Sequence, residues 1–342
     1  MTNNTPDTVI RRLTETYLRG KIRELKNDPE RGIRNLIDLA LNLSSGRFQQ
    51  NFFLAAQTML QNQQSSYYRL IQDVIFHVNE EHLVTFGMNV GYNSLTYGAK
   101  RIRATEDVEG FNIPWVIALS VNGELYDRME GFYQSLLDQG TELGVYSWIL
   151  HAESAADKVL PLIKAHSECA FMLIISASEA TDDFLTEAEL LHNLILSVKY
   201  DADALWVYSR MRERKMLYSA CIPYNPNHMT GQMLNDLLSE LDELHPILAL
   251  FVPASMAEAP ASSLYDEILA LRQNQKYAAI PLELYCDARW IDGIISTDAC
   301  TLAFDENGDL YREYSSASAD GINFCSMSLQ SILKKCYPKT RR

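Results

Sequence analysis

Between residues 6 and 78, apolar positions recur at helical spacing with charges between them. In TVIRRLTETYLRGKIRELK, the residues Val9, Leu13, Tyr17, Ile22 and Leu25 mark one stripe, which predicts an amphipathic helix. Asp28-Pro29-Glu30 breaks that helix and restarts it, because proline suits a first helical turn. GIRNLIDLALNLSSG then runs to a Ser-Ser-Gly stop, and FQQNFFLAAQTMLQ and SSYYRLIQDVIFHV predict two more helices around a polar QNQQSS joint. None of these segments carries evident chemistry.

From residue 83 the rhythm changes. Short runs rich in Val, Ile and Phe alternate with stretches of helical length, the pattern of strand–helix repeats and a parallel sheet. The runs are VTFGMNV (84–90), WVIALSV (115–121), VYSWIL (145–150), AFMLIIS (170–176), LILSV (194–198), LYSACI (217–222) and ILALFV (247–252). Continuous apolar runs suit strands covered on both faces. About six such units in succession favour a barrel or partial barrel over an open doubly wound sheet. After residue 281 the style shifts once more. CTLAFDENGDLYREY places Asn307-Gly308 between two strand-like runs and predicts a hairpin, and residues 328–335 predict a short final helix.

Composition narrows the function. Of the 342 residues, 47% are hydrophobic and 22% charged, the balance of a folded protein. The net charge of −14 repels phosphate backbones and argues against nucleic acid as a partner, and the basic KKCYPKTRR reads as a solvated tail. No segment approaches the ~18 uninterrupted apolar residues of a membrane span. The first residues lack a basic-then-apolar secretory layout, so a cytoplasmic location is expected. The six cysteines (169, 221, 286, 300, 325, 336) form no CxxC pair, which points to structural thiols in a reducing compartment.

Familiar motifs fail on spacing. GYNSLTYGAK lacks the Gly-Lys-Ser/Thr of a phosphate loop, no GxGxxG follows a strand, and DENGDL suits a turn rather than a calcium loop. His77, His82, His166, His192, His228 and His245 are scattered without metal-ligand spacing. Two groups stand at strand ends, where side chains project into a barrel mouth. His151 and Glu153 follow VYSWIL, and Ser197 and Lys199 close LILSVK. A His–carboxylate pair there can act as acid and base; the competing reading is ordinary polarity at a strand end.

In order, NVGYN, FNIPWVIALS, DQGTELGVYSWIL, KAHSECAFMLIIS, ILSV, CDARWIDG and CTLAFDENGDL give a pattern that resembles radical S-adenosylmethionine (radical SAM) enzymes with a C-terminal SPASM-type extension. The resemblance covers most of the chain. It implies a partial (β/α) TIM-like barrel over residues 81–280, a helical N-terminal region over 1–80 and a small SPASM- or twitch-like extension over 281–342. That family holds a [4Fe–4S] cluster through CxxxCxxC in the loop after its first barrel strand. Here the strand ending at Val121 passes through Asn122-Gly123-Glu124 straight into a helix, with no thiol. The family's Gly-Gly-Glu-Pro turn is matched by His151, Ala152, Glu153 and Ser154, leaving Glu153 alone to contact the cofactor. Its Ser-Val-Glu-Gly is matched by Ser197, Val198, Lys199 and Tyr200, which reverses the charge and fills space. The auxiliary-cluster positions fall on Ile294, Cys300 and Glu313. The expectation is therefore a pseudoenzyme without cofactor or metal. It would serve as a binding or partner subunit for an intact radical SAM enzyme, a peptide or a small molecule. The alternative is a repurposed, metal-independent enzyme with His151, Glu153, Ser197, Lys199 and Tyr224 at the barrel mouth.

Overall fold

The computed structural model describes residues 8–28, 31–35, 54, 57–58, 61–152, 154, 156–226, 228–254, 262–296, 299–311 and 318–339. The helices expected over 32–46 and 48–61 lie mostly outside these residues. Among the described N-terminal residues, α1 (Thr8–Asn27), α2 (Tyr67–His77) and α3 (Glu80–Met88) are the longer helices. Asn79 caps α3 by accepting from Glu81 N at 2.9 Å. The chain then continues through a π-helical stretch (Asn89–Gly98) into α4 (Ala99–Glu109).

The run at 84–90, expected to be a strand, is thus helical. Val84 and Met88 stand four residues apart and pack together on Ile22 of α1. A short apolar run of this length fits either period, and the Asn79 cap together with this packing decides for the helix. The π-helical stretch has a structural role of its own. Asn89 donates to the carbonyls of Ser167 and Cys169 at 2.8 and 2.9 Å, and Asn93 donates to that of Glu168 at 2.8 Å. Both side chains are buried, so the NVGYN motif ties the helices to the turn that leads into the third strand. Nearby, Gly98 and Gly144 touch backbone to backbone. A Cβ on Gly98 would lie 2.4 Å from the Gly144 carbonyl, and Gly144 itself sits at φ +105°.

Seven strands follow, separated by helices: β1 (Val116–Val121), α5 (Gly123–Leu143), β2 (Ser147–Ala152), α6 (Leu160–Ala165), β3 (Ala170–Ile175), α7 (Asp182–Ala188), β4 (Leu194–Lys199), α8 (Leu205–Glu213), β5 (Tyr218–Tyr224), α9 (Gly231–Asp242), β6 (Leu248–Pro253), α10 (Ser262–Asn274) and β7 (Ile280–Glu283). Each strand pairs in parallel with the next. β7 is short, contains Pro281 and lies at the sheet edge, the one place where proline costs no ladder bond.

Alternation sorts the strand residues onto two faces. Ile117 and Leu119, Trp148 and Leu150, Phe171 and Leu173, and Leu196 and Val198 point to the face covered by α5 to α10. Val116 and Ala118, Ile149, Met172 and Ile174, Cys221, and Leu250 and Val252 point the other way. That inner face is covered by α11 (Leu284–Ile295), whose Leu284 and Ala288 join its cluster. Burying a side chain of this size stabilises by ~1.5–3 kcal/mol, so the sheet is held from both sides.

After α11 the chain does not close the sheet. β8 (Leu302–Phe304) pairs in parallel with the free side of β1, and β9 (Asp309–Tyr311) and β10 (Ser318–Asn323) extend it antiparallel. The expected hairpin is present. Gly308 takes φ +84°, and Asp305 accepts from the amides of Asn307 and Asp309, each at 2.9 Å. The result is one open ten-stranded sheet with β10 and β7 at its edges. A TIM-like closure is therefore not observed among the described residues. The physical reason is that α11 occupies the inner face and carries the chain back beside β1 rather than adding a strand to β7. The final helix, α12 (Leu329–Cys336), falls where a helix is expected, and Ser328 caps it.

Candidate functional site

In a parallel sheet of this kind, side chains available for chemistry gather at the C-terminal strand ends. One register row crosses five strands, in the C-terminal halves of β1 to β4 and near the start of β5: Ser120, His151, Ile174, Ser197 and Ser219. By alternation all five share the inner face with Ala118, Ile149 and Cys221. Ser197 and Ser219 are fully buried, and their hydroxyls have no hydrogen-bond partner among the described residues. His151 is partly buried. One step nearer the strand ends, Lys199 stands opposite Cys221. Burial pushes the Cys221 thiol up to about 12, against the pull of the Lys199 charge, so it is a neutral, unreactive thiol.

Of the residues singled out in the sequence, His151, Ser197 and Lys199 therefore come to one face. Glu153 lies outside the described residues. Tyr224 falls on the opposite face, in the main core, and its hydroxyl donates to Glu283 Oε1 at 3.1 Å. Glu283 is buried, which raises its pKa, and its other oxygen accepts from Cys286 N at 2.6 Å to cap α11. Asp287 accepts from Glu283 N, Tyr265 and Arg272 at 3.0, 3.0 and 2.8 Å. Tyr224 thus belongs to the bracket that starts α11. Ser219 and Ser120 went unnoticed in the sequence, where each is a lone serine inside an apolar run.

The other end of α11 is fixed as firmly. Trp115 donates its indole N–H to Ala288 O at 2.9 Å and its backbone N–H to Asp292 Oδ1 at 2.9 Å. Asp292 Oδ2 accepts from Cys300 N at 2.6 Å. Burial pushes this carboxyl up to about 7, and the nearby Glu106 charge adds to the rise. The Ile-Pro-Trp segment before β1 is therefore an anchor for the helix on the inner face.

The residues after β1 decide what the site can hold. β1 ends at Val121 and α5 begins at Gly123, so Asn122 alone joins them. Its Oδ1 accepts from Glu124 N and Leu125 N at 2.8 and 3.3 Å, and its amide donates to Glu306 at 3.2 Å. Gly123 donates to Ser154 and accepts from Lys158 at 3.2 and 3.0 Å. An iron–sulfur cluster needs three thiolates projecting into one space, and this connection supplies none. Among the described residues, no group of three His, Cys, Asp or Glu side chains is placed to hold a metal ion. The side chains present do not fit the cluster.

No protein-family model matches this chain, and no curated protein matches it either. Solved structures do. SuiB of Streptococcus suis bound to S-adenosylmethionine superposes with a TM-score of 0.52 at 10% identity, over 71% of this chain and 69% of that one. SuiB bound to the precursor peptide SuiA gives 0.52 at 9% identity, over 71% and 70%. SuiB is a radical SAM enzyme. The fold here is radical SAM-like. At this identity the likeness speaks for the fold alone. Among the described residues no helix is long and apolar enough to cross a membrane.

Proposed function

We propose that this chain is a pseudoenzyme on a radical SAM-like scaffold, a cytoplasmic binding or partner subunit that carries no iron–sulfur cluster. Residues 1–80 would be its helical region, 81–280 the degenerate catalytic sheet and 281–342 a degenerate SPASM- or twitch-like extension. The observation that carries this reading is the single-residue link at Asn122. Its cap bonds and its contact to Glu306, with the contacts of Gly123 to Ser154 and Lys158, fill the place where a cluster loop would stand. A scaffold without its reactive loop acts through contacts, because function lives in the site grafted on a fold. A SuiB structure holds a precursor peptide, which supports a peptide as the ligand; an intact radical SAM enzyme is the other partner this reading allows. The test is anaerobic reconstitution with iron and sulfide, followed by metal analysis and affinity capture from the native host. The expected result is no stoichiometric iron and co-purification with a cysteine-bearing radical SAM enzyme or its peptide substrate. Stoichiometric iron with a reducible cluster signal would overturn the reading.

A second reading has its own observation. His151, Ser197 and Lys199 share the inner face with the unpartnered hydroxyls of Ser197 and Ser219, an arrangement suited to holding a small polar ligand and moving a proton. In that case the chain is a repurposed, metal-independent enzyme.

A further inference from the structure

At the far end of the sheet, where the strands begin, α2 and the end of α9 enclose a groove of about 350 Å³. Leu70, Phe76, Leu241, Pro246, Ala278 and Ala279 form its apolar walls. Its polar end is built on Asp73, which accepts two bonds from Arg212 at 2.6 and 2.8 Å. His77 Nδ1 lies 2.9 Å from the same carboxylate, and His245 Nδ1 lies 4.0 Å away. Beneath them a slot of about 10 Å³ runs between Asp73, Arg212 and both histidines, room for about one water. Across the groove Arg69 pairs with Asp242 at 3.2 Å.

This chemistry restricts the occupant. Two arginines face two aspartates, so with neutral histidines the groove has no net charge with which to recruit an ion. His77 Nδ1 faces two acceptors, the Asp73 carbonyl at 3.0 Å and its carboxylate at 2.9 Å. In the neutral ring that nitrogen therefore carries the proton, and Nε2 is left as an acceptor. The matching group is uncharged, with an apolar ring and one N–H or O–H donor. The groove is also open: Arg69, Phe76 and His77 on its walls are 67%, 52% and 51% exposed. A free small molecule would leave much of its surface in water there and bind weakly, whereas a side chain on a larger surface brings its own seal and binds more tightly.

We propose that this groove is a docking site for a tyrosine or tryptophan side chain of a protein partner. Its ring would pack on Phe76 and Pro246, and its ring O–H or N–H would bond His77 Nε2. The inference rests on this groove alone and stands whether or not the strand-end site has lost its chemistry. The test is NMR of the full chain with labelled histidine rings, titrated with N-acetyl-tyrosinamide and with N-acetyl-phenylalaninamide, which differ only in the phenolic O–H. The tyrosine amide is expected to shift the His77 and His245 signals saturably. The phenylalanine amide should bind about fivefold more weakly, the size of one neutral hydrogen bond. His77→Phe, which removes the acceptor at a half-exposed position, should bring the two amides to equal affinity, now read at His245. Equal binding to the unaltered protein, an unchanged preference in the variant, or no saturable shift would each overturn the proposal.

Discussion

The Asp292 carboxyl offers the sharpest test of how the helix on the inner face is held. It is 1% exposed and accepts from Trp115 N and Cys300 N, so it joins the start of β1, α11 and the segment before β8. Burial raises its pKa to about 7, against ~3.9 in the unfolded chain. Between those values the folded state binds more protons than the unfolded one. The stability owed to the protonated form is complete below about pH 4 and is lost as pH rises to about 7. At ~1.4 kcal/mol per pH unit, the loss approaches ~4 kcal/mol across the window. Asp292→Asn does not titrate. It keeps one acceptor but turns an N–H toward one of the two amides, at a cost of about 1–3 kcal/mol. The variant should therefore be clearly less stable than the parent at pH 4.5 and equal or more stable at pH 8. Other groups titrating in the window contribute equally to both proteins and drop out of the difference. Urea denaturation followed by tryptophan fluorescence at several pH values measures it. A stability difference that stays constant with pH would refute the assignment of a raised pKa to this residue.

Two further outcomes follow from the strand-end geometry. Ser197→Ala and Ser219→Ala should each stabilise the ligand-free protein by ~1 kcal/mol in thermal melts, because a buried hydroxyl without a partner is removed. A lowered melting temperature would show that the hydroxyl is bonded after all. Tyr224→Phe strips the donor from buried Glu283 and should lower the urea midpoint by the equivalent of about 1–3 kcal/mol. An unchanged midpoint would remove Tyr224 from the bracket that starts α11.

The six strands β1 to β6 were legible because apolar cover on both faces leaves a continuous run in the sequence. β7 was not, since four residues including Pro281 give no such run. The run at 84–90 misled for the reason that Val84 and Met88 satisfy a helical spacing within a strand-length segment. The hairpin at Asn307-Gly308 and the short final helix were readable because a turn and a helix start are set by their own residues. The candidate site divides along the same line. That His151, Ser197 and Lys199 stand at strand ends follows from local pattern. That Ser219 joins them while Tyr224 leaves depends on the pairing of Ser197 with Ser219, which fixes the odd positions of β5 inward. No property of either strand alone contains that register.

The same dependence explains why α11 was the least legible element. Its acids at 287 and 292 carry no local sign of burial, yet both are buried and hydrogen-bonded to backbone amides. Acidic side chains reach such positions when backbone groups at chain crossings need acceptors. Glu283 and Asp287 serve the start of α11, and Asp292 serves the crossing of Trp115 with Cys300. These bonds fix a helix across the inner face of the sheet, the face toward which Ser197 and Ser219 also point. The bracketed helix and the one-residue link at Asn122 both restrict that face. A partner that reads this scaffold would therefore engage its exposed surfaces, and the groove beside Phe76, at the opposite end of the strands, is open to such contact.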